Sequence, residues 1–215
     1  LLALYRENGI PFGNPWQHKI QYRKNYLELD SLFGEDSRFE ATYHFRIDSA
    51  TDLSSLSAVK AVVERPSLWE VRINGNKVSP SGEGYFIDRD FPLFEIGRYL
   101  QHGENLLTLT APRMHILAEL VPVYVTGKFL LKPLPAGFEI TAGNPLAPGS
   151  WQEAGMPFYS GKVAYTQHFD LAKAPGARYV VKPGKWKGMA AEVKVNGTIA
   201  GTIAWQPYKL DITSL

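Results

Sequence analysis

Apolar and polar residues alternate in short runs along most of this chain. Across 39–48, Phe39, Ala41, Tyr43, Phe45 and Ile47 interleave with Glu40, Thr42, His44, Arg46 and Asp48. A period of two marks a strand with one face buried and one in water. Across 69–74, Trp69, Val71 and Ile73 share one face, which puts Trp69 in a core. Asn74-Gly75 follows, and Asn-Gly accepts the positive φ angles of a type I′ turn, so a tight hairpin is expected. Further strands are expected at 59–64, 84–88, 105–110, 121–131, 137–141, 177–182 and 198–204. Helical periodicity is scarce. Residues 51–58 and 113–120 have room for one turn each, and 1–18 carry no clear period and read as a connector.

The pattern then repeats. Residues 191–197, Ala-Glu-Val-Lys-Val-Asn-Gly, keep the phase of 69–75, so Asn74 recurs as Asn196, 122 positions on. Phe45 recurs as Phe169, 124 positions on, and Phe94–Leu100 is echoed by Leu210–Leu215. The first copy runs on through Gly103-Glu104-Asn105 into the apolar stretch Leu106–Leu109, whereas the second reaches Leu215 before any such stretch. Self-similarity of this length implies two copies of one folding unit. It also sets the expectation that the second copy is incomplete and the chain a piece of a longer protein. A Pro/Gly/Asn-rich run at 142–150 separates the copies. The expected organisation is a connector at 1–18, a first β domain at 19–145 and a truncated second at 146–215. With 19 Gly and 15 Pro punctuating short strands, the class is an antiparallel all-β sandwich or barrel.

Composition narrows the partners. The chain has 215 residues, 45% hydrophobic and 13% aromatic, enough for buried cores and against disorder. A net charge of +2, without a Lys/Arg cluster, gives no drive toward nucleic acid or anionic membrane. No run approaches the ~18 apolar residues of a membrane-spanning helix. There is no cysteine, hence neither a disulfide framework nor a thiolate metal site.

Several strings resemble known families. Glu70-Val-Arg-Ile-Asn-Gly-Asn-Lys-Val78, Asp88-Arg-Asp-Phe91, Glu95-Ile-Gly97 and Gly103-Glu-Asn105 resemble the galactose-binding-like jelly rolls of large glycoside hydrolases. Ala191-Glu-Val-Lys-Val-Asn-Gly197 and Trp205-Gln-Pro-Tyr-Lys-Leu-Asp-Ile-Thr213 are similar to the sugar-binding domain of glycoside hydrolase family 2. Asn25–Asp30, Val123–Phe129, Gly149–Glu153 and Met156–Gly161 resemble the C-terminal region of family 106 α-L-rhamnosidase-type enzymes. The resemblance implies two tandem galactose-binding-like jelly-roll β-sandwiches, the second incomplete. It further implies an accessory role beside a catalytic domain that this chain lacks, in a secreted or periplasmic bacterial protein.

The residues themselves offer little catalytic chemistry. Glycoside hydrolysis needs two carboxyls ~5–10 Å apart across the sugar. Asp88 and Asp90 flank Arg89 and would share a strand face, but Asp-Arg-Asp is more simply an ion-pair patch that fixes a loop. Glu119, Glu139 and Glu153 stand isolated. His18, His44, His102, His115 and His168 include no pair at the spacing of a helical zinc site. There is no Gly-x-Ser-x-Gly elbow, and Ser81–Tyr85 lacks the lysine of a phosphate loop. Asn196-Gly-Thr198 fits a glycosylation sequon, yet the hairpin turn already accounts for it. No catalytic residue, metal ligand or cofactor is therefore expected.

Aromatic residues are the better candidates. An indole or phenol ring covers the apolar face of a sugar, while neighbouring polar groups bond its hydroxyl rim. Trp151, Tyr159 and Trp205 lie among polar neighbours and are the expected carbohydrate-binding residues. Packing between domains, or against the missing catalytic domain, competes for the same side chains. Trp16 falls in the connector and Trp186 after Pro183-Gly184. The leading expectation is a non-catalytic accessory region of a carbohydrate-active enzyme, with its own catalytic domain and an oligo- or polysaccharide as partners. A stand-alone carbohydrate-binding module and a ligand-free interaction domain remain open beside it.

Overall fold

The computed structural model describes residues 1–10, 29–82, 84–143, 148–172, 174–185 and 187–215. The chain forms two compact units, Leu1–Tyr165 and Thr166–Leu215. Both are built from strands. Among the described residues, helix comprises α1 (Leu2–Glu7), residues 29–30 and single 3-10 turns at Leu53–Leu56, Pro66–Leu68 and Gly97–Tyr99.

Unit 1 contains β1 (Phe39–Ile47), β2 (Lys60–Val62), β3 (Glu70–Ile73), β4 (Asn76–Val78), β5 (Leu93–Glu95), β6 (Gly103–Ala111), β7 (Tyr124–Thr126), β8 (Phe129–Pro133) and β9 (Phe138–Ala142). Six strands form one sheet in the order β4-β3-β6-β1-β9-β8, and three form another, β5-β2-β7. The inward faces share one core: Ile47, Val71, Ile73, Leu107, Leu109 and Ile140 from the large sheet, with Ala61 and Phe94 from the small one. Strand β6 is central. It pairs antiparallel with β1 over nine positions and with β3 over four, Ile73 opposite Leu107 and Val71 opposite Leu109. Alternation along β6 buries Asn105, Leu107, Leu109 and Ala111, so a polar residue stands on the core face.

Most expected strands form, with three instructive differences. The run 121–131 is two strands rather than one. At Gly127 a Cβ would come within 2.8 Å of Val59, so the chain passes close to β2 there and changes sheets. Residues 84–88 form no strand. The Asp88 carboxylate accepts the Asp90 N–H at 2.8 Å, and the Phe91 N–H bonds the Asp88 carbonyl at 3.1 Å, closing a loop instead. The connector begins with α1, whose Tyr5 is buried edge-on against Phe33 with ring centroids 5.6 Å apart. The turn expected near 51–58 forms, capped by Asp52 accepting from the Ser54 N–H. Residues 113–120 contain a turn but no helix, and Met114, Ile116 and Ala118 are buried in alternation.

Unit 2 contains β10 (Val180–Val181), β11 (Ala191–Val195), β12 (Thr198–Ile203) and β13 (Leu210–Asp211), paired as β10-β13 and β11-β12. Its hairpin matches that of unit 1. Asn74 and Gly75 have φ of 48° and 81°, Asn196 and Gly197 of 50° and 84°. The second match is in the other pair. In unit 1, β2 opposes β5 with Lys60 facing Glu95 and Ala61 facing Phe94. In unit 2, Val180 faces Asp211 and Val181 faces Leu210. The bonds beyond the strands agree as well. The Ile96 N–H donates to the Val59 carbonyl at 3.2 Å, and the Ile212 N–H to that of Tyr179 at 2.9 Å. The Tyr99 N–H closes a turn on Ile96 at 2.9 Å, and the Leu215 N–H on Ile212 at 3.1 Å. Residues 167–171, the echo of β1, form no strand, and Phe169 and Leu171 are exposed. Among the described residues of unit 2, Ile203 is the one buried apolar side chain.

Candidate functional site

Two of the three expected aromatic residues come together in unit 1. Residues 150–159 fold into consecutive turns: the Ala154 N–H donates to Ser150, the Met156 N–H to Trp151 and the Tyr159 N–H to Met156. The Gly155 carbonyl accepts the Leu131 N–H at 2.8 Å and ties the turns to β8. Gly155 has φ +90°, and a Cβ would stand 3.0 Å from that of Leu130, so no other residue fits without strain. This anchoring presents Trp151 and Tyr159 side by side, ring centroids 6.0 Å apart at 64°. Phe158 packs on Phe138 at 5.2 Å and 80°. Tyr165 completes the patch.

The polar atoms of the patch bond one another and nearby backbone. The Trp151 indole N–H donates to the Tyr165 hydroxyl at 2.6 Å. The Tyr159 hydroxyl donates to the Lys162 carbonyl at 3.0 Å, and that of Tyr165 faces the Gly149 carbonyl at 3.5 Å. Phe158 is 74% exposed and Tyr159 48%. Neither ring pair is coplanar, so the patch is a ridged apolar surface rather than a flat stacking platform. Phe158 directly precedes Tyr159 in sequence, whereas Phe138 and Tyr165 were not legible as members. Phe138 falls in phase with buried Ile140 and reads as core, and nothing local marks Tyr165.

Trp205 lies in unit 2, after β12, and is 82% exposed. The three expected residues are therefore divided between two units. Trp16, Trp186 and His18 lie outside the described residues.

The titratable groups serve structure. Asp90 pairs with Arg65 Nε at 3.4 Å and Asp88 caps its own loop, so this pair is a loop brace. Lys132 joins Glu139 at 3.0 Å and Asp48 at 3.3 Å. His44 bonds Glu104 at 3.0 Å across β1 and β6, and His102 Nε2 lies 2.9 Å from the Thr51 carbonyl. Asp30 is an anchor: it accepts from Arg113 Nη1 at 3.2 Å and from the Ile116 N–H at 2.8 Å. Glu64 was missed by sequence reasoning. Burial pushes its carboxyl above the ordinary range, with the charges of Glu119, Asp90 and Asp88 adding and Arg65 opposing. It adjoins Trp69, Leu117 and Glu119 around a void of only about 10 Å³, too small for a sugar. A wider, open cleft of about 450 Å³ is lined by Lys77, Val78, Ser79, Ser81, Glu95 and Arg98. Its cations are engaged: Lys77 bonds Glu70 at 2.8 Å, and Arg98 lies over the Tyr99 ring at 4.7 Å. Among the described residues, no three His, Cys, Asp or Glu side chains gather as a metal site would require. Compared with models of known families and with curated proteins, the chain matches none.

Proposed function

We propose that this chain is a non-catalytic accessory region of a carbohydrate-active enzyme, two galactose-binding-like jelly rolls in tandem, whose aromatic patch braces a catalytic domain. The observation that carries this reading is the Trp151–Tyr159–Phe158–Phe138–Tyr165 patch. Phe138, Phe158, Tyr159 and Tyr165 are exposed, the polar atoms of the patch are hydrogen-bonded within it or to nearby backbone, and its ring pairs meet edge to face. A sugar platform keeps polar groups at the rim for hydroxyls, whereas a surface that docks on protein needs apolar area and shape. An exposed aromatic cluster of this kind marks an interaction surface. The doubled hairpin, with matched paired strands, supports the tandem arrangement.

The test has two arms. Polysaccharide affinity electrophoresis and a panel of aryl glycosides probe the chain for binding and turnover; neither retention nor sugar release is expected. A hydrophobic dye probes the patch. Its fluorescence should fall about twofold or more when Phe158 and Tyr159 are replaced by Ser, with the thermal midpoint changed little, because singly exposed side chains add little to stability. Retention abolished by Trp151→Ala would move the reading to a carbohydrate-binding module. Sugar release abolished by Glu64→Gln or Asp90→Asn would overturn the non-catalytic reading.

A further inference from the structure

Unit 1 shows what its hairpin turn is for. The Asn74 backbone N–H donates to the Leu106 carbonyl and the Asn74 Oδ1 accepts the Leu106 N–H, both at 2.9 Å. Asn74 Nδ2 donates to the Tyr99 carbonyl at 2.9 Å and to Asn105 Oδ1 at 2.8 Å. Asn105, 0% exposed, also accepts from the Gln101 N–H and donates to the Gln101 and Gly103 carbonyls. The turn residue thus clasps the start of β6 and fixes its register between β3 and β1.

Unit 2 holds the receiving half of that clasp. Asn196 has the backbone of Asn74, and its side chain is exposed with no bonding partner among the described residues. Strand β11 is bonded to β12 along one edge and, among the described residues, to nothing along the other. In unit 1 that second edge belongs to β6. Val193 and Val195 are half-buried, while their counterparts Val71 and Ile73 are 2% and 0% exposed. Residues 167–171 stay unpaired for the same reason. Their counterpart β1 pairs with β6 over its whole length, and with β9 at one position alone.

We propose that the free edge of Ala191–Val195 is a strand slot, and that its occupant is an extended segment of the Gly-x-Asn-Leu-Leu-x-Leu type lying antiparallel to β11. The register follows from β3 and β6. The first residue supplies a positive φ, as Gly103 does at 76°. The asparagine accepts from Asn196 Nδ2, and the next N–H donates to Asn196 Oδ1. The following leucines face Val195 and Val193, as Leu107 and Leu109 face Ile73 and Val71. An open edge beside half-buried apolar side chains recruits such a strand through main-chain bonds, and the alternate pockets select its residues. The inference does not depend on the carbohydrate reading.

The experiment extends the full chain after Leu215. Leu215 occupies the place of Tyr99, so the added residues are the unit 1 sequence from Leu100 to Ala111. Amide exchange at 191–196 should slow by about tenfold or more, the protection expected of a newly paired strand. Asn196→Gly keeps the turn and removes only the clasp; it should reverse about half of that slowing in the extended chain and change nothing in the unextended one. A scrambled extension should protect nothing. Equal exchange with and without the extension, or equal protection by the scrambled one, overturns the proposal. So does an unextended chain that sediments as a dimer with 191–196 already protected, because a second copy then fills the edge.

Discussion

Val71 and Ile73 in unit 1 are almost sealed from solvent, while Val193 and Val195, at the same places of the same hairpin in unit 2, are half-buried. The turns agree within a few degrees of φ, and the neighbouring strand pairs share one register. What differs is the strand beside the hairpin. In unit 1, β6 covers it and also organises β1. Turn and register are thus local properties, written in Asn-Gly and in alternation. Burial is non-local, and one central strand decides it for the two beside it.

The largest expected effects test that contrast by truncation. Ile73→Ala should destabilise unit 1 by about 3 kcal/mol, the cost of a cavity at a sealed core position. Val195→Ala, at the equivalent place, should cost under about 1 kcal/mol, because a half-buried side chain gains less from burial. Urea unfolding with exchange readout assigned to each unit separates them. Equal costs would show that unit 2 has a sealed core after all and that β6 is not what sets burial.

A smaller effect is expected where the copies carry different residues on one shared turn. At Gly97 a Cβ would meet the Ser57 carbonyl oxygen at 2.2 Å and that of Leu56 at 2.5 Å. Backbone cannot withdraw as a side-chain tip can, so Gly97→Ala should cost about 2 kcal/mol. The counterpart in unit 2 is Thr213, which has a side chain there and uses it. Its hydroxyl accepts the Tyr179 N–H at 2.9 Å. Thr213→Ala should cost about 1–2 kcal/mol, because its hydroxyl also donates to Asp211 and two hydrogen bonds at a partly wet site are lost. If Gly97→Ala is neutral by thermal unfolding, the tight approach of this turn to residues 56–57 does not hold.

Much of the fold was legible because its signals are short-range. Residues 39–48, 69–74 and 191–196 announce themselves by period two, 105–110 by an apolar run, and both Asn-Gly turns by backbone preference. Tyr85–Ile87 misled because alternation ignores a carboxylate two residues on: Asp88 captures the Asp90 N–H and closes a loop. Phe169 misled for the opposite reason. Its segment has the right pattern, but a strand exists only with a partner, and pattern does not report partners. The aromatic patch was half legible. Trp151 and Tyr159 stand close in sequence with polar neighbours, whereas Phe138 and Tyr165 join them only through tertiary packing. Asn105 opens the expected strand 105–110, and its burial beneath Asn74 follows from topology.

The finest test uses pH and follows two single carboxyls shifted in opposite directions, Asp211 in unit 2 and Glu64 in unit 1, where Asp48, Asp52 and Glu70 are held low as Asp211 is. In unit 2 the Asp211 carboxyl accepts from the Thr213 hydroxyl and from the Arg178 guanidinium, whose Nε is 3.1 Å away, and from the Thr213 N–H. These donors hold it well below the ordinary range. The unfolded carboxyl therefore protonates first on acidification, near pH 4. Its contribution is complete above that pH and is lost as pH falls toward the folded value. In unit 1 burial pushes Glu64 upward, so its folded form holds the proton more tightly than the unfolded one. That contribution is complete below the ordinary carboxyl pKa and is lost as pH rises through the folded value. Protection at 180–181 and 210–211, corrected for intrinsic exchange, should fall between about pH 4 and 2, and Asp211→Asn should flatten the fall. Glu64→Gln should raise the unit 1 midpoint at pH 7 by about 1–2 °C and leave it unchanged at pH 3. An acid fall in unit 2 that survives Asp211→Asn, or a unit 1 midpoint that Glu64→Gln leaves unchanged at pH 7, would mean that exposure to water, rather than the local donors and burial, governs these carboxyls.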